Sequence, residues 1–171
     1  MFKFYKYSGA GNTFTVIDGR ELNPERFKRP QMVHSLCLQY ETDGLMILEN
    51  PLGTEADFRM SYFNSDGSSG MMCGNGGRCI VAFADLVGVK PFHTADYLFE
   101  APDGLHRAQI LSHLGECKIV KLWMGDVRSY RRVDSDSWFV DTGARHLVRF
   151  VQDGALDTLD VDALGRTLRW D

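Results

Sequence analysis

Basic blocks, long apolar runs, paired cysteines and low-complexity stretches are all missing from this chain. Its 19 lysines and arginines face 23 acids, for a net charge of −4. With no clustered basic stretch among them, nucleic acid is not an expected partner. No window approaches the roughly 18 consecutive apolar residues that a membrane helix needs, so no membrane contact is expected. The start, MFKFYKYSGAGN, alternates lysine with aromatics and has no apolar core. It does not read as a signal peptide, and a cytoplasmic location is expected. There are only four cysteines, Cys37, Cys73, Cys79 and Cys117. Without an export signal they read as reduced thiols. The Cys73–Cys79 spacing matches none of the short zinc-knuckle patterns, and no second cysteine pair completes one, so no metal is expected.

What is present suits an ordinary globular domain. The chain has 171 residues, 44% of them hydrophobic and 25% charged. That length fits one domain of roughly 100–200 residues, with enough apolar surface for a core. Phe2, Phe4 and Tyr7, spaced by lysines, predict a first strand. Thr13–Asp18, β-branched and aromatic, predicts a second, across the Gly9-Ala10-Gly11-Asn12 loop. Asn23-Pro24 reads as a helix start, with Val33, Leu36, Cys37 and Tyr40 on one apolar face. Leu45–Glu49 and Phe58–Tyr62 read as strands, the latter ending in the turn-rich Asn64–Gly70. Residues 78–87 are apolar nearly all round and stop at Gly88, which predicts a buried helix. Strands are expected near 94–100, 105–112, 116–123, 137–141 and 146–151. Residues 160–170 read as a short helix or an irregular tail. One buried helix among many strands predicts an α+β, mostly β class, with an antiparallel barrel-like sheet around that helix.

The richest chemistry lies in Cys73-Gly74-Asn75-Gly76-Gly77-Arg78-Cys79. A helix that begins after Cys73 offers unpaired N–H groups and the positive end of its dipole. Glycines let a ligand approach the backbone, so a carboxylate or phosphate could sit there. A thiol at such a start is tilted toward the thiolate, which can serve as nucleophile or general base. The plain alternative is a glycine-rich turn with a structural cysteine. His146, before the strand 147–151, and Asn12, in its glycine loop, read by themselves as structural residues. Cys37, Cys79 and Cys117 read as core positions, with exposure beside Gly115 the alternative for Cys117. His34, His93, His106 and His113 show no partner pattern. Arg128, Arg131 and Arg132 read as a solvated loop.

Taken together, Gly9–Phe14, Asp43-Gly44-Leu45, Phe63–Ser68, Met72–Cys79 and Thr142-Gly143-x-x-His146 resemble diaminopimelate epimerase, in that family's order and along the whole chain. Proline racemases carry a histidine where Asn75 stands, and phenazine-biosynthesis-like relatives are similar mainly in fold. The resemblance implies a cofactor-free isomerase interconverting LL- and meso-diaminopimelate for lysine and cell-wall synthesis. Two cysteines on opposite faces of the α-carbon exchange a proton. By the resemblance, Cys73 is the first of them. The backbone of Gly74 and Asn75 holds the α-carboxylate, Asn12 and Asn64 contact the substrate's polar groups, and His146 tunes the thiols.

The chain departs from the family pattern in three places. Ala144-Arg145 stands where the family has Asn-Pro before its histidine. Gln39–Thr42 replaces a glycine-rich approach to Asp43-Gly44. Finally, the family has two similar halves, the second bearing the partner cysteine, and residues 1–171 correspond to a single N-terminal domain, the first half. The expectation is therefore a chain that is inactive alone, with a missing C-terminal half or self-association covering its apolar surface. An epimerase for another amino acid and a non-catalytic carboxylate-binding module remain alternatives.

Overall fold

The structure, a computed structural model, describes residues 2–21, 23–92 and 95–170. The chain forms two compact units, Met1–Asp126 and Val127–Asp171. His93 and the expected beginning of a strand at 94 lie outside the described residues.

The first unit contains a seven-stranded sheet in sequence order: β1 (Phe4–Gly9), β2 (Asn12–Asp18), β3 (Gly44–Glu49), β4 (Phe58–Asn64), β5 (Tyr97–Ala101), β6 (Gly104–Leu114) and β7 (Cys117–Trp123). The expected antiparallel sheet is corrected to a mixed one. β2 pairs with β3 in parallel, and so does β4 with β5. Both parallel pairs follow from helical crossovers, since a strand can return in the same direction only after a long connection. The first crossover carries α1 (Pro30–Tyr40) and the second α2 (Gly74–Leu86).

The helix expected from Asn23-Pro24 divides in two. A 3-10 turn spans Glu25–Lys28, and α1 starts at Pro30. Arg29, the residue before proline, is extended at φ −71° and ψ 132°. Clash with the proline ring disfavours the helical region there, which interrupts the helix. The Asn23 side chain still accepts from the Glu25 N–H at 3.0 Å.

All six residues of β3 are buried. Its alternate side chains feed two separate cores. Leu45 and Ile47 join Ile17, Phe27, Val33, Leu36 and Cys37 beneath α1. Met46 and Leu48 join Phe14, Phe58, Phe83 and Phe99 on the α2 side. Fully burying a side chain of this size stabilises by about 1.5–3 kcal/mol, so the α2 core is the main support of the unit.

Along α2, Gly76, Gly77 and every residue from Cys79 to Ala84 are buried. The helix meets both edge strands. Tyr5 and Tyr7 of β1 pack their rings on Phe83, at 5.0 and 5.8 Å. Lys118 of β7 donates to the Ala82 carbonyl at 2.9 Å and to Asp85 at 2.6 Å. The sheet therefore curls around the helix as a half-barrel. Between β1 and β7 runs an open seam, a groove of about 940 Å³ whose lining includes Arg78 and Cys79.

The second unit holds an antiparallel sheet of β8 (Ser129–Arg132), β9 (Ser137–Asp141) and β10 (Arg145–Arg149), followed by α3 (Val161–Trp170). The arginine cluster at 128–132, expected as a loop, falls largely within β8. Its strand signal was hidden because all four β8 residues are exposed and carry no apolar alternation.

Candidate functional site

Helix α2 begins at Gly74, directly after Cys73 as the glycine-rich segment implies, and takes in four residues ahead of the apolar run that starts at Arg78. Cys73 is its N-cap residue, in extended conformation at φ −117° and ψ 120°. Its carbonyl accepts from the Gly77 N–H at 2.8 Å, while its thiol makes no capping bond. The Cys73 sulfur is thus half-buried beside the first turn and not engaged in holding the helix. The C-terminal end matches expectation, with Gly88 at φ +80° just past the cap.

Strand β1 reaches this helix start through Gly9. A Cβ there would stand 2.8 Å from both the Asn75 carbonyl oxygen and Cys79 Sγ, so only glycine lets the strand lie this close. Gly9 and Asn12 pair across a two-residue turn, Ala10-Gly11, with φ +51° and +93°. Positive φ at both central residues suits the right-handed twist of the hairpin. The turn places Asn12 over the helix, where its Oδ1 accepts from Asn75 Nδ2 at 2.5 Å. Arg78, one turn further on, donates to Asn75 Oδ1. Beneath β2, Asp43 Oδ2 accepts from the Thr13 N–H at 2.8 Å and from the Thr13 hydroxyl at 3.2 Å. Asn64 lies at the same end of the sheet, paired with Gly44, and its amide donates to Ser68 Oγ at 3.0 Å.

The structure therefore brings Asn12, Cys73, Gly74 and Asn75 to one helix start and Asn64 to the same sheet end. His146 belongs to the second unit, on β10, exposed, with Nε2 3.2 Å from Thr142 Oγ1. The remaining cysteines differ in setting. Cys37 is buried beneath α1, and that burial pushes its thiol up. Burial likewise pushes Cys79 up to about 11, opposed by the nearby Arg78 charge. Cys117, for which the sequence leaves both a core and an exposed position beside Gly115 open, is exposed, because it starts an edge strand right after the Gly115-Glu116 turn. His106 has a partner after all: its Nε2 lies 2.9 Å from Asp103, across the β5–β6 hairpin. Asp43 and Arg78 are the contributors that sequence reasoning missed. The signal for Arg78 was its i+3 spacing from Asn75 on one helix.

Among the described residues, no group of three or more His, Cys, Asp or Glu is placed to hold a metal ion. Among them, no helix is long and apolar enough to cross a membrane.

These features define a half-barrel protein with a free thiol at the glycine-rich start of its buried helix. Solved structures share that fold. A phenazine biosynthesis protein of the PhzF family from Bacillus anthracis superposes with a TM-score of 0.61 at 14% identity, over 88% of this chain and 54% of that one. A methylitaconate-delta-isomerase gives 0.53 at 14% identity, over 81% of this chain and 41% of that one. At sequence level, the model of the family "Diaminopimelate epimerase" matches residues 4–130. The chain belongs to the diaminopimelate epimerase family. It is 38% identical to the diaminopimelate epimerase of Flavobacterium psychrophilum, over 98% of this chain and 62% of that protein. It is 40% identical to that of Chlorobaculum tepidum, over 95% of this chain and 62% of that protein. The chain thus spans about 62% of the length of these relatives.

Proposed function

We propose that this chain supplies the Cys73 face of a diaminopimelate epimerase, interconverting LL- and meso-diaminopimelate for lysine and cell-wall synthesis. The observation that carries the reading is Cys73 itself: a half-buried thiol, free of capping duty, at a glycine-rich helix start, in a chain of this family. As thiolate, Cys73 takes the α-proton, and the electron pair left on carbon spreads into the α-carboxylate. The N–H groups of Gly74 and Asn75, at the positive helix end, stabilise that growing charge. A thiol on the opposite face returns a proton to carbon and becomes the thiolate, so the two exchange roles with direction. No cofactor takes part in this scheme.

Cys37 and Cys79 are buried with raised thiols, and Cys117 stands on the seam edge rather than at a glycine-rich helix start. These placements support a partner thiol outside residues 1–171, with the intact site lying between two halves and the chain inactive alone. Asn12 and Asn64 contact the polar groups of the substrate, and His146 tunes the thiols.

The test is α-proton exchange of LL-diaminopimelate in deuterated water, read by NMR. The native-length protein is expected to exchange, and Cys73→Ala to lose exchange. Neither residues 1–171 alone nor a diaminopimelate-bound Cys73→Ala protein should exchange. Exchange by residues 1–171 alone overturns the partner-thiol proposal. Exchange retained in Cys73→Ala overturns the role of Cys73. A second reading, epimerisation of another amino acid, draws on Ala144-Arg145 at the β9–β10 turn, where Ala144 O accepts from the Thr142 N–H at 3.0 Å. Faster exchange of another amino acid than of diaminopimelate would favour it.

A further inference from the structure

Three side chains at the start of α2 form a hydrogen-bonded series whose direction is chemically forced. Arg78 Nη2 donates to Asn75 Oδ1, and Asn75 Nδ2 donates to Asn12 Oδ1 at 2.5 Å. A guanidinium carries donors only, so the Asn75 atom that faces it must be the carbonyl oxygen. This turns the Asn75 amino group toward Asn12. Asn12 must answer with its own carbonyl oxygen. What Asn12 then turns outward is its amino group, with donors and no acceptor.

Without Arg78, both amides could rotate half a turn and keep their mutual bond, and Asn12 would present an acceptor instead. The backbone of the loop is fixed by other means: the close approach of Gly9 to the helix and the Asp43 bonds to Thr13. Arg78 is thus free of responsibility for where the loop lies and decides only which way its amides point.

We infer that Arg78 is a positioning residue, which through Asn75 fixes the Asn12 side chain as a hydrogen-bond donor toward a ligand carboxylate. The identity of that ligand rests on the diaminopimelate reading; the amide relay does not. A donor-only group at Asn12 favours a carboxylate, which only accepts, over an ammonium group, which only donates. The relay thereby selects which polar end of an amino-acid substrate meets the β1–β2 turn.

Two measurements separate the relay from the identity of its ligand. In the ligand-free protein, side-chain amide resonances of Asn12 and Asn75 are followed by ¹⁵N NMR in Arg78→Met and Arg78→Lys. Both resonance pairs are expected to move in Arg78→Met and to stay near wild type in Arg78→Lys, whose ammonium is also donor-only. Unmoved resonances in Arg78→Met overturn the relay, whatever the protein binds. Next, affinity for meso-diaminopimelate is measured by calorimetry. Loss of one oriented hydrogen bond predicts about tenfold weaker binding in Arg78→Met, with Arg78→Lys within about threefold of wild type. Adding Arg78→Met to Asn12→Ala should weaken binding no further. An equal loss with and without Asn12, or no rescue by lysine, overturns the positioning role. If the wild-type protein binds no diaminopimelate, the proposed function fails, and the amide resonances still decide the relay.

Discussion

Replacing Gly9 by alanine tests how the β1–β2 turn is seated on α2. The new Cβ would lie 2.8 Å from Asn75 O and 2.8 Å from Cys79 Sγ. Optimal carbon contacts lie near 3.5–4.0 Å, so the strand and the helix start must separate by about 0.7 Å. One of the two obstacles is backbone and cannot rotate away. Overpacking of this kind costs about 1–3 kcal/mol. For a unit of this size each kcal/mol lowers Tm by about 3–4 °C, giving a fall of about 3–12 °C. Calorimetric melting of the chain measures it. The Cys79→Ala background removes one obstacle and leaves the other, so the two substitutions should couple by about 0.5–1 kcal/mol. Gly11→Ala is the control. Its Cβ would meet nothing within 4 Å, so its cost is confined to φ +93° and should not couple to residue 79. Strict additivity of Gly9→Ala with Cys79→Ala, or an unchanged Tm for Gly9→Ala, would refute this account of the contact.

Further outcomes follow from the same structure. Iodoacetamide should label Cys73 and Cys117 in the native protein, with Cys37 and Cys79 labelled only after unfolding, as peptide mass mapping would show. Glu49 is buried, which raises its pKa, yet hydrogen bonds from Lys28 and Ser61 and the Arg59 charge bring it below its ordinary 4.5. Asp85 is held down first by Lys118. Such carboxylates bind protons more readily when unfolded, so their contribution is complete above about pH 4.5 and disappears as pH falls through the lower folded values. Glu49→Gln should flatten the acid limb of stability against pH and cost about 2–3 kcal/mol at pH 7, less than a fully buried pair because Lys28 and Arg59 keep contact with water. Ala10 sits at φ +51°, where asparagine is better accommodated, so Ala10→Asn should raise stability by about 0.5–1 kcal/mol in denaturant titration.

Much of this was legible in the chain. Strand β4 shows itself because Phe58 and Met60 alternate with more exposed neighbours. The buried character of α2 is visible in its unbroken apolar stretch, and the helix start at Cys73 in its glycines. The parallel pairings were not legible, because β3 has the same apolar run whether its neighbour runs up or down. Strand β8 lacks any inward face, so alternation could not betray it. In the site, the family motif marks Cys73, Gly74, Asn75, Asn12 and Asn64. The i+3 spacing places Arg78 beside Asn75, but its importance lies in a direction, the facing of two amides, which that spacing alone does not encode.

The placement of α2 in the half-barrel also sets an order of events during synthesis. The helix is complete at residue 86, yet one flank rests on β1 and the other on β7, which ends at Trp123. Emerging from the ribosome, residues 1–86 can form β1 to β4 and seat one side of the helix. The flank where Lys118 meets Ala82 and Asp85 gains its cover only when β7 arrives, some 31 to 37 residues later in the chain. The nascent protein therefore carries a sticky helix face through that interval. Slow translation between residues 87 and 123 should lengthen its exposure to chaperones, and rapid translation should shorten it.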